Sequence, residues 1–144
     1  MTLPLCNPVV GGAVRCRDGW GEGHFGAPRG ARRHNGLDIL AGPGAPVCSP
    51  IDALVVREAC PYDDDAVLSG VLLRGEGTHT GLELKLFYVQ FDPALVGTHV
   101  RAGDPLGQVQ DLQHRYPGIA NHVHLEVRIK GACVDPVPLI GDLD

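Results

Sequence analysis

At 144 residues the chain has room for one domain with a sizeable core but not for two comfortable ones. No apolar run approaches membrane-spanning length, and a net charge of −5 argues against nucleic acid and against a polyanionic wall surface as an electrostatic partner. An aromatic content of 5% leaves little for a sugar-stacking platform.

Residues 1–33 carry many Gly, Pro and Arg and no sustained period, so they read as an irregular N-terminal arm packed on a domain spanning 34–144. One short strand is expected in the arm, at Val9–Val14. Trp20 and Phe25, set among Gly19, Gly21, Gly23 and Gly26, read as a loop pinned by aromatics. That loop either forms a wall of a cleft near His34 or covers the edge of the core. The basic stretch from Arg29 to Arg33 reads as charge that solvates a loop.

From Leu37 onward, short apolar runs recur every ten residues or so between turn signals, with no helical period. That pattern predicts an all-β, antiparallel domain. Strands are expected at Ala53–Glu58, Val67–Arg74, Leu82–Phe91 and Leu106–Val109, with Cys60–Asp65 a turn and Asp111–Asn121 an irregular loop. Val134–Leu139, which contains Pro136 and Pro138, reads as a terminal extended segment along the edge of the core. The five cysteines (Cys6, Cys16, Cys48, Cys60, Cys133) include no Cys-x-x-Cys pair. They fit one or two disulfides with a thiol left over, or reduced thiols.

The most informative stretch is His122-Val123-His124-Leu125-Glu126-Val127-Arg128-Ile129, where polar and apolar residues alternate strictly. Such a strand would turn Val123, Leu125, Val127 and Ile129 to the core and His122, His124, Glu126 and Arg128 to the other face. Earlier, His34 and Asp38 would share a face of an extended segment, and Gly36 between them leaves that face open. Together the two segments offer nitrogen and carboxylate ligands of a kind that suits zinc with one coordination position open. Glu126 is either an acceptor that orients one of the histidines or a solvated strand residue.

His34-x-x-x-Asp38 followed by His122-x-His124 resembles the lysostaphin/LytM-type zinc endopeptidases of bacterial cell walls. Phe25-Gly26, Gly44-Ala45-Pro46-Val47 and Val100–Gly107 fall in the order of that family. The run Leu112-Gln113-x-x-Tyr116-Pro117-Gly118-Ile119-x-x-His122-Val123-His124-x-Glu126 is similar to its leukocyte cell-derived chemotaxin 2-like members. The similarity spans roughly residues 20–138.

The resemblance implies a lysostaphin-type β fold around a zinc groove, with Zn2+ held by His34, Asp38 and His124. It also implies His122 as general base, and peptidoglycan peptides as substrate. The family carries a second active-site His in a Tyr-x-His-Leu segment, and here Tyr88-Val89-Gln90-Phe91 stands in its place. Gln90 cannot exchange protons near neutral pH, although its amide can donate to an oxyanion. The chemotaxin-like members also lack that His. The alternative reading is therefore a catalytically silent zinc-binding module whose partner is a protein receptor or a wall fragment. His79, His99 and His114 read as surface histidines. The implied site of action is periplasmic or extracellular. Met1–Cys6 lacks the pattern of a signal peptide, so a trimmed leader or leaderless export is expected.

Overall fold

The computed structural model describes residues 4–143. Among them the chain is all β apart from three single 3-10 turns. The strands are β1 (Pro28–Arg29), β2 (Arg32–Arg33), β3 (Leu37–Leu40), β4 (Pro46–Cys48), β5 (Ala53–Glu58) and β6 (Gly70–Gly75). Then come β7 (Leu82–Phe87), β8 (Val89–Phe91), β9 (His99–Val100), β10 (Pro105–Val109), β11 (His122–Ile129) and β12 (Ala132–Val134). All strand pairs are antiparallel. They form three sheets: a large one ordered β12-β11-β7-β6-β5-β9 with β3 also on β11, a small one ordered β4-β10-β8, and the β1–β2 hairpin.

β11 is the axis of this arrangement. One edge pairs with β7 over His124–Ile129. The other edge is shared end to end, with β3 on His122–Leu125 and β12 on Val127–Ile129. Its apolar residues Val123, Leu125 and Val127 are fully buried with Leu37, Ile39, Leu84 and Leu86. Burying each such side chain contributes about 1.5–3 kcal/mol. The polar face is buried too, because loops roof it over: His122, His124 and Glu126 are all under 10% exposed.

The structure departs from the sequence expectations in several places: the strand expected at Val67–Arg74 starts only at Gly70, and the arm carries the β1–β2 hairpin. Val9–Val14 forms no strand. Val9 packs in the core, residues 8–11 are bent, and Val14 makes a lone bridge to Ile39. Leu82–Phe91 is broken at Tyr88, which takes φ 69°, so the chain leaves the large sheet at Phe87 and joins the small one as β8. Val134–Leu139 ends in a 3-10 turn at Val137–Leu139, which brings Ile140 to a bridge with Leu5. The five cysteines are free thiols. Among the described residues no helix is long and apolar enough to cross a membrane.

Candidate metal centre and its cleft

Register brings the ligand residues together. In the β3–β11 pairing His124 lies directly opposite Asp38, the closest approach two side chains have across a sheet. His34, just before β3, folds over the same spot. One ligand atom from each of His34, Asp38 and His124 lies within 4.8 Å of the others. Asp38 Oδ1 is 3.2 Å from His34 Nε2 and 3.0 Å from His124 Nδ1, and those two nitrogens are 3.0 Å apart.

The donor chemistry fits a cation. His34 Nδ1–H donates to the His24 carbonyl at 2.9 Å, which leaves the Nε2 lone pair facing inward. His124 Nε2–H donates to Glu126 Oε1 at 3.1 Å, leaving Nδ1 facing Asp38. Each ring is thus anchored through one nitrogen and presents the other, which is how ligating imidazoles are oriented. Glu126 is therefore a buried acceptor, not a solvated strand residue. Gly36 makes the convergence possible, because a Cβ there would sit 2.8 Å from His124 Nε2.

His122 stands beside this group on the same face of β11. Its Nδ1–H donates to the Ala120 carbonyl at 2.9 Å, and its Nε2 lies 3.4 Å from Asp38 Oδ2. Burial pushes the His122 pKa down, more than Asp38 and the Ala120 carbonyl raise it. The ring is neutral near pH 7, with a lone pair free to take a proton. On His124, burial also opposes charge, but hydrogen bonds to Asp38 and Glu126 outweigh it and lift the pKa to about 9. Burial would raise the Asp38 carboxyl. The hydrogen bond from His124, whose ring carries a proton on both nitrogens in the metal-free protein, leads the effects that overcome this and hold it well below the usual carboxylate range.

A buried cation backs the carboxylate. Arg15, 3% exposed, donates through Nε to Asp38 Oδ2 at 3.1 Å and pairs with Asp18 at 2.8 Å. Oδ2 is thereby taken, and Oδ1 is left toward His34 and His124. Nothing in the residue spacing signalled Arg15, since it comes from the irregular arm.

The group lies at the bottom of a cleft of about 400 Å³. One wall is aromatic: Trp20, Tyr62, Tyr88 and Tyr116 all line it. Trp20 donates from its indole N–H to the Pro117 carbonyl at 3.0 Å and packs edge-on against Tyr116. The Tyr62 hydroxyl bonds to Tyr88 at 2.6 Å and also to Tyr116, and the Arg115 guanidinium lies 3.7 Å over the Tyr62 ring. The Tyr88 ring stands edge-on to His122, centroids 5.4 Å apart. Burial, then the charge and hydrogen bond of Tyr62, push the Tyr88 pKa far up, so its hydroxyl stays protonated. The left-handed backbone at Tyr88 is a conformation that costs a non-glycine residue about 1–3 kcal/mol and clusters at functional sites.

Gln90 is elsewhere. It lies exposed on β8, opposite Gln108, and is not among the residues lining the cleft. Phe25, His79, His99 and His114 do not line it either. His79 is buried and accepts from the Asp52 N–H, whereas His99 pairs with Glu76 at 2.8 Å.

The model of peptidase family M23 matches residues 32–136. Leukocyte cell-derived chemotaxin-2 of mouse (Mus musculus) is 32% identical over 123 residues, which is 85% of this chain and 78% of that protein. In fold the chain is similar to Helicobacter pylori Csd3, at a TM-score of 0.68 and 20% identity over 96% of this chain and 33% of that one. It is also similar to lysostaphin in solution, at a TM-score of 0.66 and 18% identity over 86% of this chain and 52% of that one. The two structural likenesses concern the fold, and this chain spans only part of either neighbour.

Proposed function

Because the chain belongs to peptidase family M23, we propose that it is a zinc-dependent endopeptidase that hydrolyses peptide bonds of peptidoglycan in the periplasm or outside the cell. The observation that carries this reading is the common aim of three imidazoles. His34, His124 and His122 are each tied back through one ring nitrogen and turn the other toward Asp38.

His34 Nε2, Asp38 Oδ1 and His124 Nδ1 would hold the ion. When bound, zinc supplies Lewis acidity that polarises a peptide carbonyl and brings the deprotonation of water near neutral pH. His122, neutral and uncommitted at Nε2, takes the proton of the attacking water and returns one to the leaving amine. The Tyr88 ring stands beside His122, and its hydroxyl, held protonated and bonded to Tyr62, is the donor this reading assigns to the oxygen on which negative charge develops. It would supply a donor inside the cleft, where Gln90 does not reach. Arg15 and Glu126 keep Asp38 and His124 in place.

A second reading is favoured by the similarity to chemotaxin-2 and by the absence of any further histidine from the cleft lining. In it the same group binds zinc without turnover, and the cleft receives a protein or wall fragment.

Digestion of purified peptidoglycan by zinc-loaded and by chelated protein, with fragments identified by mass spectrometry, separates the two. Zinc-dependent fragments that disappear in His122→Ala, a variant expected to keep its zinc, establish the peptidase. If fully metallated protein releases none from any wall type, the second reading replaces the first. His34→Ala and His124→Ala should lose the metal, and equal zinc content in wild type and both variants would refute the ligand set.

A further inference from the structure

Arg29, Arg32 and Arg33 take no part in the chemistry above, yet all three line the cleft. They come from the stretch whose charge pattern reads as loop solvation. The β1–β2 hairpin turns it instead into a wall of the cleft. Its register sets Arg29 directly opposite Arg32, and cross-strand partners share a face. Like charges directly opposite destabilise a strand pair, and in strands of two residues each there is little ladder to offset that cost.

Among the described residues Arg32 and Arg33 have no acidic partner, and Arg29 has only a long one. Among the described residues Arg32 makes no hydrogen bond or ion pair. Arg33 reaches only the Gly26 carbonyl, at 3.2 Å. Arg29 donates to the Glu22 carbonyl at 2.7 Å and to that of its neighbour Pro28 at 3.0 Å, and makes a long ion pair with Asp38 at 3.8 Å. The acidic residues lining the cleft, Asp38 and Glu126, are committed to the histidines, and Asp38 to Arg15 as well. A chain of net charge −5 thus opens this cleft behind a positive mouth, a local field that draws in and retains anions.

We propose that the Arg29–Arg32 rung, with Arg33 beside it, is a subsite for a carboxylate of the bound peptide, so that the cleft selects acidic peptides over neutral or cationic ones. The proposal rests on the reading of the cleft as a peptide site. The guanidinium fork matches a carboxylate in two-pronged geometry, which a lysine ammonium does not.

The test uses short blocked peptides of one sequence carrying Glu, Gln or Lys at the same two positions. Their binding to the full chain is measured by calorimetry at low and at physiological salt, with zinc-loaded protein assayed for cleavage in parallel. The Glu peptide should bind best and lose affinity as salt rises. The double variant Arg32→Ala/Arg33→Ala should weaken it roughly five- to tenfold, the size expected of two half-solvated ion pairs. Arg101→Ala removes an exposed charge outside the cleft and should not weaken it. Equal binding of the Glu and Gln peptides, or an equal loss in Arg101→Ala, overturns the subsite. Selective binding of the Glu peptide with no cleavage by zinc-loaded protein upholds the subsite and overturns the peptidase.

Discussion

Replacing Gly36 by alanine adds one methyl group at the closest point between β11 and the segment that carries His34 and Asp38. The new Cβ would sit 2.8 Å from His124 Nε2 and 2.9 Å from Cε1, and against the Leu125 carbonyl. That carbonyl cannot yield easily, because Leu125 is paired with Leu37 on one side and with Leu86 on the other. The ring must therefore turn, and turning it breaks the 3.1 Å bond to Glu126 and moves Nδ1 off its line to Asp38. Overpacking of this kind costs about 1–3 kcal/mol. The alanine returns only about 0.4–1 kcal/mol through a less flexible unfolded chain, so the clash wins. For a domain of this length the net loss lowers the melting midpoint of metal-free protein by a few degrees, on the order of 2–8 °C.

The larger effect falls on the metal. Losing the orienting partner of a ligating histidine typically costs about 10- to 100-fold in affinity, or about 1.4–2.7 kcal/mol. Competition against a chromophoric chelator measures the affinity, and melts with and without zinc measure the coupling. Gly36→Ala should bind zinc at least tenfold more weakly and gain less thermal stability from it. Zinc affinity and melting midpoint equal to wild type would mean that His124 does not bind the ion in the rotamer described, and the ligand geometry would fall with it.

Two further outcomes follow from the same site. Tyr88→Phe removes the protonated hydroxyl and keeps the ring beside His122, so kcat should drop by about 10²–10³ with zinc content unchanged; Gln90→His, on an exposed side chain outside the cleft, should leave kcat alone. The opposite pattern would restore Gln90 to the site. In chelated protein, the folded-state pKa of His124 lies at about 9 against an ordinary value of 6.5. Its contribution to stability is complete below pH 6.5 and disappears as pH rises through about 9. Thermal midpoints of chelated wild type should fall across that window, and a His124→Gln variant should fall less; parallel curves would refute the assignment.

Much of this was legible in the residues themselves. The alternation from His122 to Ile129 marks a strand, and the observed β11 has those limits. Ala53–Glu58 was equally plain. The convergence of His34, Asp38 and His124 could be read because each lies on the polar face of a short apolar pattern, and sheet register then does the rest. What could not be read is whatever depends on a roof. Glu126 looks solvated in a strand pattern, and it is buried only because distant loops cover that face. Tyr62 and Tyr116 show no period at all, and they meet Tyr88 through contacts spanning tens of residues. The break at Tyr88 carries no glycine or proline to announce it, and the missed kink is what separates Tyr88, inside the cleft, from Gln90, outside it. The arginines of the hairpin were hidden for a simpler reason: a charge run looks the same whether it faces bulk water or a cleft.

The shared edge of β11 leaves β3 at a border. β3 is four residues long and is held by β11 along one side only. Its other side is met by the N-terminal arm: Arg15 N–H donates to the Asp38 carbonyl, Leu40 N–H to that of Ala13, and Asp38 N–H to that of Gly23. Without the arm, that border would present unpaired amides and carbonyls next to apolar Leu37 and Ile39, the kind of open strand edge that pairs with another copy of itself. A version of this protein cut at residue 33 would keep every metal ligand and would assemble edge to edge. Its concentration-dependent loss from solution would be the mark of a guard removed, and anyone trimming the chain for expression should begin before Ala13.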